Sequence, residues 1–216
     1  HWINLAEAEH HARQIFDNRF VNHANANVYS GFILALCYQA GGQPDRANDV
    51  ISQTAEFATE VRSQALMLLV QAMQAELDIR QGRIGEAVKW AKRIFPSIRP
   101  VPMPMFYAAQ LAVPKALLAQ GHEADLGLLH DTLRGLRANA ESTNNTRFLI
   151  EVLALEALYH YGQGNDREAF AVLEQSLALA MPSGFIRLYV DLGPAMKTLL
   201  DRLPPKRDMA RYITQI

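Results

Sequence analysis

Apolar residues recur along the chain with the period of an α-helix. Leu66, Val70, Met73 and Leu77 are spaced at i, i+4, i+7 and i+11, which places them on one face of a helix. Similar spacing covers most of the sequence. Only residues 185–190, where aromatic and β-branched side chains are concentrated, are typical of a short extended segment. The pattern therefore predicts an all-α protein.

Four glycines that follow apolar helical stretches mark an internal repeat. They lie 40, 39 and 43 residues apart, and three of them follow a glutamine. Alanine lies five positions after three of them, and seven positions before three of them, with Pro114 replacing it in the third repeat. A glycine can end a helix in a left-handed conformation, and small residues on both sides let two antiparallel helices approach closely. The pattern predicts four helical hairpins, with turns at Gly42, Gly82, Gly121 and Gly164.

The repeat also predicts the order of the helices. A lone helix at 2–18 comes first, and a stiff proline-rich connector at 96–104 separates the second hairpin from the third. We expect Pro114 to kink the first helix of the third hairpin, and a helix at 194–203 to follow the extended segment. The paired helices are predicted at 22–40 and 45–59, 61–81 and 84–95, 105–120 and 123–139, and 146–161 and 166–180.

Glycine followed five positions later by alanine matches the pattern of tetratricopeptide (TPR) repeats, and Tyr38 fits the aromatic position of that pattern. Such hairpins bury their apolar faces by stacking on one another. The predicted fold is an all-α, right-handed superhelix of stacked antiparallel helix hairpins, a TPR-like solenoid with a C-terminal capping segment. The predicted domains are a helix from a truncated preceding repeat at 1–21, four hairpins at 22–181, and a cap and linker at 182–216.

Composition excludes several classes of protein. The 216 residues are 50% hydrophobic, and 21 basic against 22 acidic residues give a formal net charge of −1, which excludes a disordered chain. Near-neutral charge also argues against direct binding of nucleic acid through phosphates. A single cysteine, Cys37, excludes an internal disulfide framework and a multi-thiolate metal site. No signal peptide or membrane-spanning run is recognisable, so we expect a cytoplasmic protein without a membrane partner.

Motifs for catalysis are absent from the sequence. It contains no phosphate-binding GxxxxGK[ST] loop, no GxGxxG after a strand and no GxSxG elbow. Cys37 lies on an apolar helix face and is interpreted as a buried hydrophobe. The histidines lie in different repeats without HExxH spacing, and carboxylate pairs such as Glu151 and Glu156 are interpreted as solvated helix faces. We therefore expect no catalytic residue, no metal site and no enzyme.

The remaining candidate is the surface that the first helices of the hairpins form. Positions facing inward in such a repeat carry aromatic and charged residues, which suit a groove for a small polar molecule or a peptide. The alternative is that the stripe of Tyr29, Phe32 and Leu36 is core between repeats. The predicted effector-binding residues are Tyr29, Phe32, Gln39, Glu76, Arg80, Lys115 and Tyr161, with Leu111 and Glu151 at equivalent positions.

The most specific part of the sequence is residues 183–200, SGFIRLYVDLGPAMKTLL. Its apolar residues can cover the open end of the last hairpin, and Pro194 suits the first position of a following helix. The segment closely resembles the one that closes the TPR-like region of the large ATP-binding LuxR-type transcription activators, the MalT-like group. Residues 169–180 also resemble the last repeat of that family, whereas Leu192 departs from it, since an acidic residue is common there.

The resemblance implies a signal-sensing region. In that family an ATPase, a TPR-like sensor and a DNA-binding helix-turn-helix domain share one chain, so ATP is expected only in a missing N-terminal domain and no cofactor in this chain. The resemblance implies a small-molecule inducer or a regulatory protein as partner, control of self-association with a possible homo-oligomer, and no DNA contact by these residues. The alternative is a free-standing TPR scaffold that binds other proteins.

Overall fold

The computed structural model describes residues 5–18, 21–95, 109–121, 124–204 and 207–216. In these residues the backbone forms α-helices, short 3-10 turns and loops, with no strand, which confirms the all-α, TPR-like prediction. The helices are α1 (Leu5–Asp17), α2 (Ala24–Ala40), α3 (Pro44–Glu60), α4 (Gln64–Arg80), α5 (Ile84–Ile94), α6 (Ala112–Ala119), α7 (Leu126–Ser142), α8 (Thr146–Gly162), α9 (Asp166–Ala180), α10 (Arg187–Asp191), α11 (Gly193–Arg202) and α12 (Arg207–Ile213).

Five of the helix connections are three-residue turns of one type. They join α2 to α3, α3 to α4, α4 to α5, α7 to α8, and α8 to α9. The middle residue is left-handed in each, with φ of 70° at Gly42, 51° at Arg62, 75° at Gly82, 52° at Asn144 and 73° at Gly164. Three of the four predicted glycines therefore end the first helices of their hairpins with this turn, and the fourth, Gly121 after α6, is also left-handed, with φ of 67°. Arg62 and Asn144 give the same turn between one hairpin and the next.

Hydrogen bonds within these turns explain their uniformity. The residue after the left-handed position donates its amide to a carbonyl five residues earlier in the chain, as from Gln43 N to Tyr38 O at 2.9 Å and from Arg83 N to Asp78 O at 2.8 Å. The left-handed residue itself donates to the carbonyl three residues earlier, as from Gly82 N to Ile79 O at 3.1 Å. This is the Schellman arrangement, which satisfies the carbonyls that a helix end leaves unpaired.

Side-chain caps decide where two helices begin. Ser63 Oγ accepts the amide hydrogen of Leu66, so α4 begins at Gln64 and the prediction of 61 is wrong. Asp125 Oδ1 accepts from Leu128 N at 3.0 Å, so α7 begins at Leu126, where 123 was predicted. An oxygen at the N-cap satisfies an amide that has no partner within the helix, which favours these two starting points.

The chain divides into two compact units. The first comprises His1–Ile98 and Pro104–Ala119 and contains α1–α6; the second comprises Arg99–Met103 and Gln120–Ile216 and contains α7–α12. The boundary falls between α6 and α7, the helices of the third predicted hairpin. The predicted division at 1–21, 22–181 and 182–216 remains a prediction.

In the first unit, close packing of α1, α2 and α3 depends on Gly31. A Cβ atom at this position would lie 2.3 Å from Thr54 Oγ1 on α3 and 3.1 Å from the Phe16 ring on α1. Thr54 is fully buried and its hydroxyl donates to Val50 O at 2.7 Å, so it cannot turn away without losing a hydrogen bond. The absence of a side chain on Gly31 therefore lets three helices meet.

Pro114 lies in the first turn of α6, and the kink expected at this residue remains a prediction. A 3-10 turn at Ala109–Leu111 precedes α6, and Pro114 is the third residue of that α-helix. Proline is tolerated in the first turn because the amides there have no partner within the helix. Two predictions lie outside the described residues: the start of this helix at 105 and the proline-rich connector at 96–104.

The cap in the second unit differs from the prediction. Residues 185–190 are not extended, since α10 begins at Arg187 after Gly184 has turned the chain with φ of 66°. The helix brings Tyr189, 1% exposed, into the core, where its hydroxyl lies 2.8 Å from Ser176 Oγ. This buried contact outweighs the strand propensity of the aromatic and β-branched residues.

The shared turn predicts that two substitutions change the free energy of unfolding in opposite directions. Gly82→Ala should lower the free energy of unfolding by about 1 kcal/mol, because alanine is strained at a left-handed φ. Arg62→Gly should raise it by up to about 1 kcal/mol, because glycine relieves the same strain. Urea unfolding followed by circular dichroism measures both, and a loss of stability in Arg62→Gly would contradict this account.

Replacing each of two glycines inside helices by alanine should change the stability of the protein in opposite directions. Gly31→Ala should destabilise the protein by about 1–3 kcal/mol, because the new methyl group overlaps Thr54. Gly135→Ala on α7 is the matched control: nothing lies within 4 Å of its Cβ position, so alanine should stabilise the helix by about 0.5–1 kcal/mol. Adding Thr54→Ala to Gly31→Ala should restore part of the lost stability, as measured by thermal unfolding. A double variant no more stable than Gly31→Ala would contradict the steric explanation.

Candidate functional site

The first helices of the hairpins in the first unit lie side by side. Helix α4 contacts α2 on one side and α6 on the other. We call these three helices the α2–α4–α6 row. Six of the seven predicted effector-binding residues lie on it: Tyr29, Phe32 and Gln39 on α2, Glu76 and Arg80 on α4, and Lys115 on α6. Tyr161 belongs to α8 in the second unit.

An ion pair connects two helices of the row. Lys115 Nζ lies 2.8 Å from Glu76 Oε1, and the two side chains are 19% and 6% exposed. The residues are 39 positions apart in the sequence, so the packing of α6 on α4 brings them together. Since charges taken out of water need a close partner, the pair ties the register of α6 to that of α4. Each charge is largely neutralised by the other.

The exposed apolar surface of α2 differs from the predicted stripe. Phe32 is only 7% exposed and belongs to the hydrophobic core of the first unit. Tyr29 is half-buried, and burial raises the pKa of its phenol. Ile33, which was not predicted, is 44% exposed and lies one turn after Tyr29. The i, i+4 spacing of these two residues is the signal that could have found Ile33.

Gln39 belongs to a polar ladder between the first hairpin and the second. Its Oε1 accepts a hydrogen bond from Gln81 Nε2 at 2.8 Å. Arg83 extends the ladder, since its Nη2 donates to Asn48 Oδ1 at 3.1 Å and its Nε to Asp78 Oδ1 at 2.9 Å. The ladder joins the end of α2 and the start of α3 to the turn after α4, which keeps the two hairpins in register.

Arg80, another predicted residue of the row, is the last residue of α4, and its side chain is exposed. A cation at the C-terminal end of a helix is favoured by the helix dipole. Its guanidinium group has the geometry to bind a carboxylate, a phosphate or a carbonyl. Of the equivalent positions, Leu111 is buried on the 3-10 turn before α6, whereas Glu151 on α8 is half-buried.

Tyr161 contacts the cap of the second unit. Arg202 of α11 donates from Nη1 to Tyr161 Oη at 3.2 Å, and its guanidinium carbon lies 5.3 Å from the centre of the ring. The same guanidinium pairs with Asp166 at the start of α9. Arg202 therefore joins α11 to the turn between α8 and α9, a contact that was not predicted from the sequence. The role of Tyr161 in binding an effector remains a prediction.

The described residues contain neither a cluster of metal ligands nor a helix that could span a membrane. Over these ranges, no group of three or more His, Cys, Asp or Glu side chains could hold a metal ion. In the same part of the chain, no helix has the length and apolar character needed to cross a membrane. What the row offers is a surface with the exposed apolar side chain of Ile33, the half-buried Tyr29 and the exposed cation Arg80.

The chain matches the model of a known protein family. The family model of the MalT-like TPR region matches residues 1–206, nearly the whole chain. No curated protein matches the chain significantly. The match agrees with the resemblance carried by residues 183–200 and with the helical hairpins of both units.

The ion pair between Glu76 and Lys115 predicts a large effect of removing one charge. Glu76→Gln should lower the free energy of unfolding by about 2 kcal/mol, because Lys115 loses its carboxylate in a largely buried place. Replacing both residues by methionine should recover most of the loss. Glu86→Gln removes a carboxylate from an exposed pair with the same 2.8 Å separation, and urea unfolding should show no measurable change. Equal effects at Glu76 and Glu86 would contradict the role of burial.

Proposed function

The chain belongs to the MalT-like TPR region family, and we propose that it is the signal-sensing region of a LuxR-type transcription activator. In this proposal it binds an effector molecule or a regulatory protein and controls self-association of the regulator. The observation that carries the proposal is the α2–α4–α6 row, which presents Tyr29, Ile33 and Arg80 on helices packed side by side.

The character of the row favours binding over catalysis. An aromatic side chain, an exposed aliphatic one and a cation can contact a small polar molecule or a peptide. The Glu76–Lys115 pair holds α4 and α6 together, so the surface is fixed before a ligand arrives, which lowers the entropic cost of binding. We expect no enzymatic reaction here, in keeping with the generally non-catalytic character of TPR-type repeats.

The other parts of the proposal follow from the family. ATP would be bound by another domain of the regulator, and this region would hold no cofactor. DNA would be contacted by a further domain, consistent with the net charge of −1. The self-associated form would be a homo-oligomer of the regulator. An effector that binds this form more tightly than the monomer would shift the equilibrium toward it. We propose that the regulator acts in the cytoplasm without a membrane partner.

Thermal unfolding of the chain with a panel of small polar metabolites at millimolar concentration tests effector binding. A ligand of the folded state should raise the midpoint temperature in a saturable manner. Arg80→Ala or Ile33→Ala should weaken binding about ten-fold if the row is the site. Arg134→Ala on α7, an exposed arginine of the second unit, is the control that should leave the affinity unchanged. If a metabolite raises the midpoint temperature saturably and neither Arg80→Ala nor Ile33→Ala changes this effect, the binding site does not lie on the row.

Self-association and the wider architecture need their own measurements. Sedimentation velocity with and without the metabolite should show a change in the distribution of monomers and oligomers. The reading frame on both sides of the 216 residues should encode a phosphate-loop ATPase and a helix-turn-helix domain. A frame that encodes neither would favour a free-standing TPR scaffold for proteins.

A further inference from the structure

The last helix, α12, contacts the rest of the second unit through the side chain of Tyr212. Tyr212 is 6% exposed, and its hydroxyl donates a hydrogen bond to Phe185 O at 2.8 Å. Among the side chains of α12 that the structure describes, Tyr212 alone is buried. The other described residues of this helix are half-buried or exposed: Met209, Ala210, Arg211 and Ile213.

The acceptor of this hydrogen bond lies in a loop. Phe185 follows the left-handed Gly184 and precedes α10, and Phe185 itself is half-buried. Burial raises the pKa of Tyr212 to about 12, so the phenol keeps its proton and remains a donor throughout the physiological range. The contact therefore joins the C-terminal helix to the 184–186 loop by one aromatic ring and one hydrogen bond.

The two preceding helices of the cap are held much more firmly. Helix α11 buries Met196, Leu199 and Leu200. Helix α10 buries Tyr189, whose hydroxyl donates to Ser176 Oγ, while Ser176 donates to Ile150 O at 2.8 Å. Helix α10 thus contacts α9 and helix α11 contacts α8, whereas α12 buries only Tyr212 among its described side chains.

We propose that α12 is a releasable latch that docks on the 184–186 loop through Tyr212 and undocks as a unit while α8–α11 remain packed. Elements with few buried contacts open at free energies far below that of global unfolding. Docked and undocked forms give the second unit two conformations at its C-terminal end. Any molecule that binds one form better shifts the equilibrium between them. The latch does not depend on the proposed effector site, which lies on the other unit.

Hydrogen–deuterium exchange of the 216-residue chain tests the latch, with the peptide that covers 207–216 as the reporter. Its protected amides include Thr214 N, bonded to Ala210 O, and Gln215 N, bonded to Tyr212 O. Tyr212→Phe keeps the ring and removes the hydrogen bond, so exchange in this peptide should rise about five-fold. Tyr212→Ala removes the ring as well and should raise it at least about ten-fold. Exchange in α8, α9 and α11 should stay unchanged in both variants.

Tyr159→Phe is the matched control, because it removes a hydroxyl from a half-buried tyrosine of α8 in the same unit. It should leave exchange in 207–216 unchanged. If Tyr212→Ala raises exchange equally in α8, α9 and α11, α12 is an integral part of the core and the latch is wrong. If 207–216 exchanges without protection in the unaltered chain, α12 does not dock and the proposal is equally overturned.

Discussion

The left-handed middle residue of the three-residue turn is the constraint on which the arrangement of the helices depends. The same φ, between 51° and 75°, recurs at Gly42, Arg62, Gly82, Asn144 and Gly164. Because the turn has constant length and constant hydrogen bonds, the chain reverses direction in the same way at each of these five turns. In the first unit these reversals place α2 beside α4, which makes a shared surface possible.

The turns also show how far the fold could be predicted from the sequence. Turns inside hairpins were recognisable because glycine is the residue that adopts a positive φ without strain. Arg62 and Asn144 adopt the same conformation without that signal, so the turns between hairpins were not recognised and α4 was predicted to begin too early. The α10 helix was missed for a different reason: it is stabilised by a contact of Tyr189 with Ser176, which is remote from the local pattern.

The candidate site was predictable only in part, because its pairings cross between repeats. Periodicity identified α2, α4 and α6 as neighbours, yet it could not show that Glu76 and Lys115 neutralise each other across 39 residues. Phe32 and Ile33 differ by about 100° around α2, and only the packed structure shows which of them is covered. The packing thus gives the row a surface whose buried charges are already satisfied, and the proposed ligand would contact the side chains that remain exposed.

The segment with the most specific sequence is also the one whose backbone and buried side chains restrict the choice of residue most. Residues 183–200 contain two glycines at positive φ, Gly184 and Gly193, and the buried Tyr189, which needs a hydrogen-bond partner. Such requirements admit few residue types, whereas the apolar faces of the hairpins accept any side chain of suitable size. The family resemblance is concentrated there because a cap must end the stack through particular contacts. Since Phe185, in the same segment, provides the carbonyl that holds Tyr212, the structure that closes the last hairpin also positions the chain that follows it.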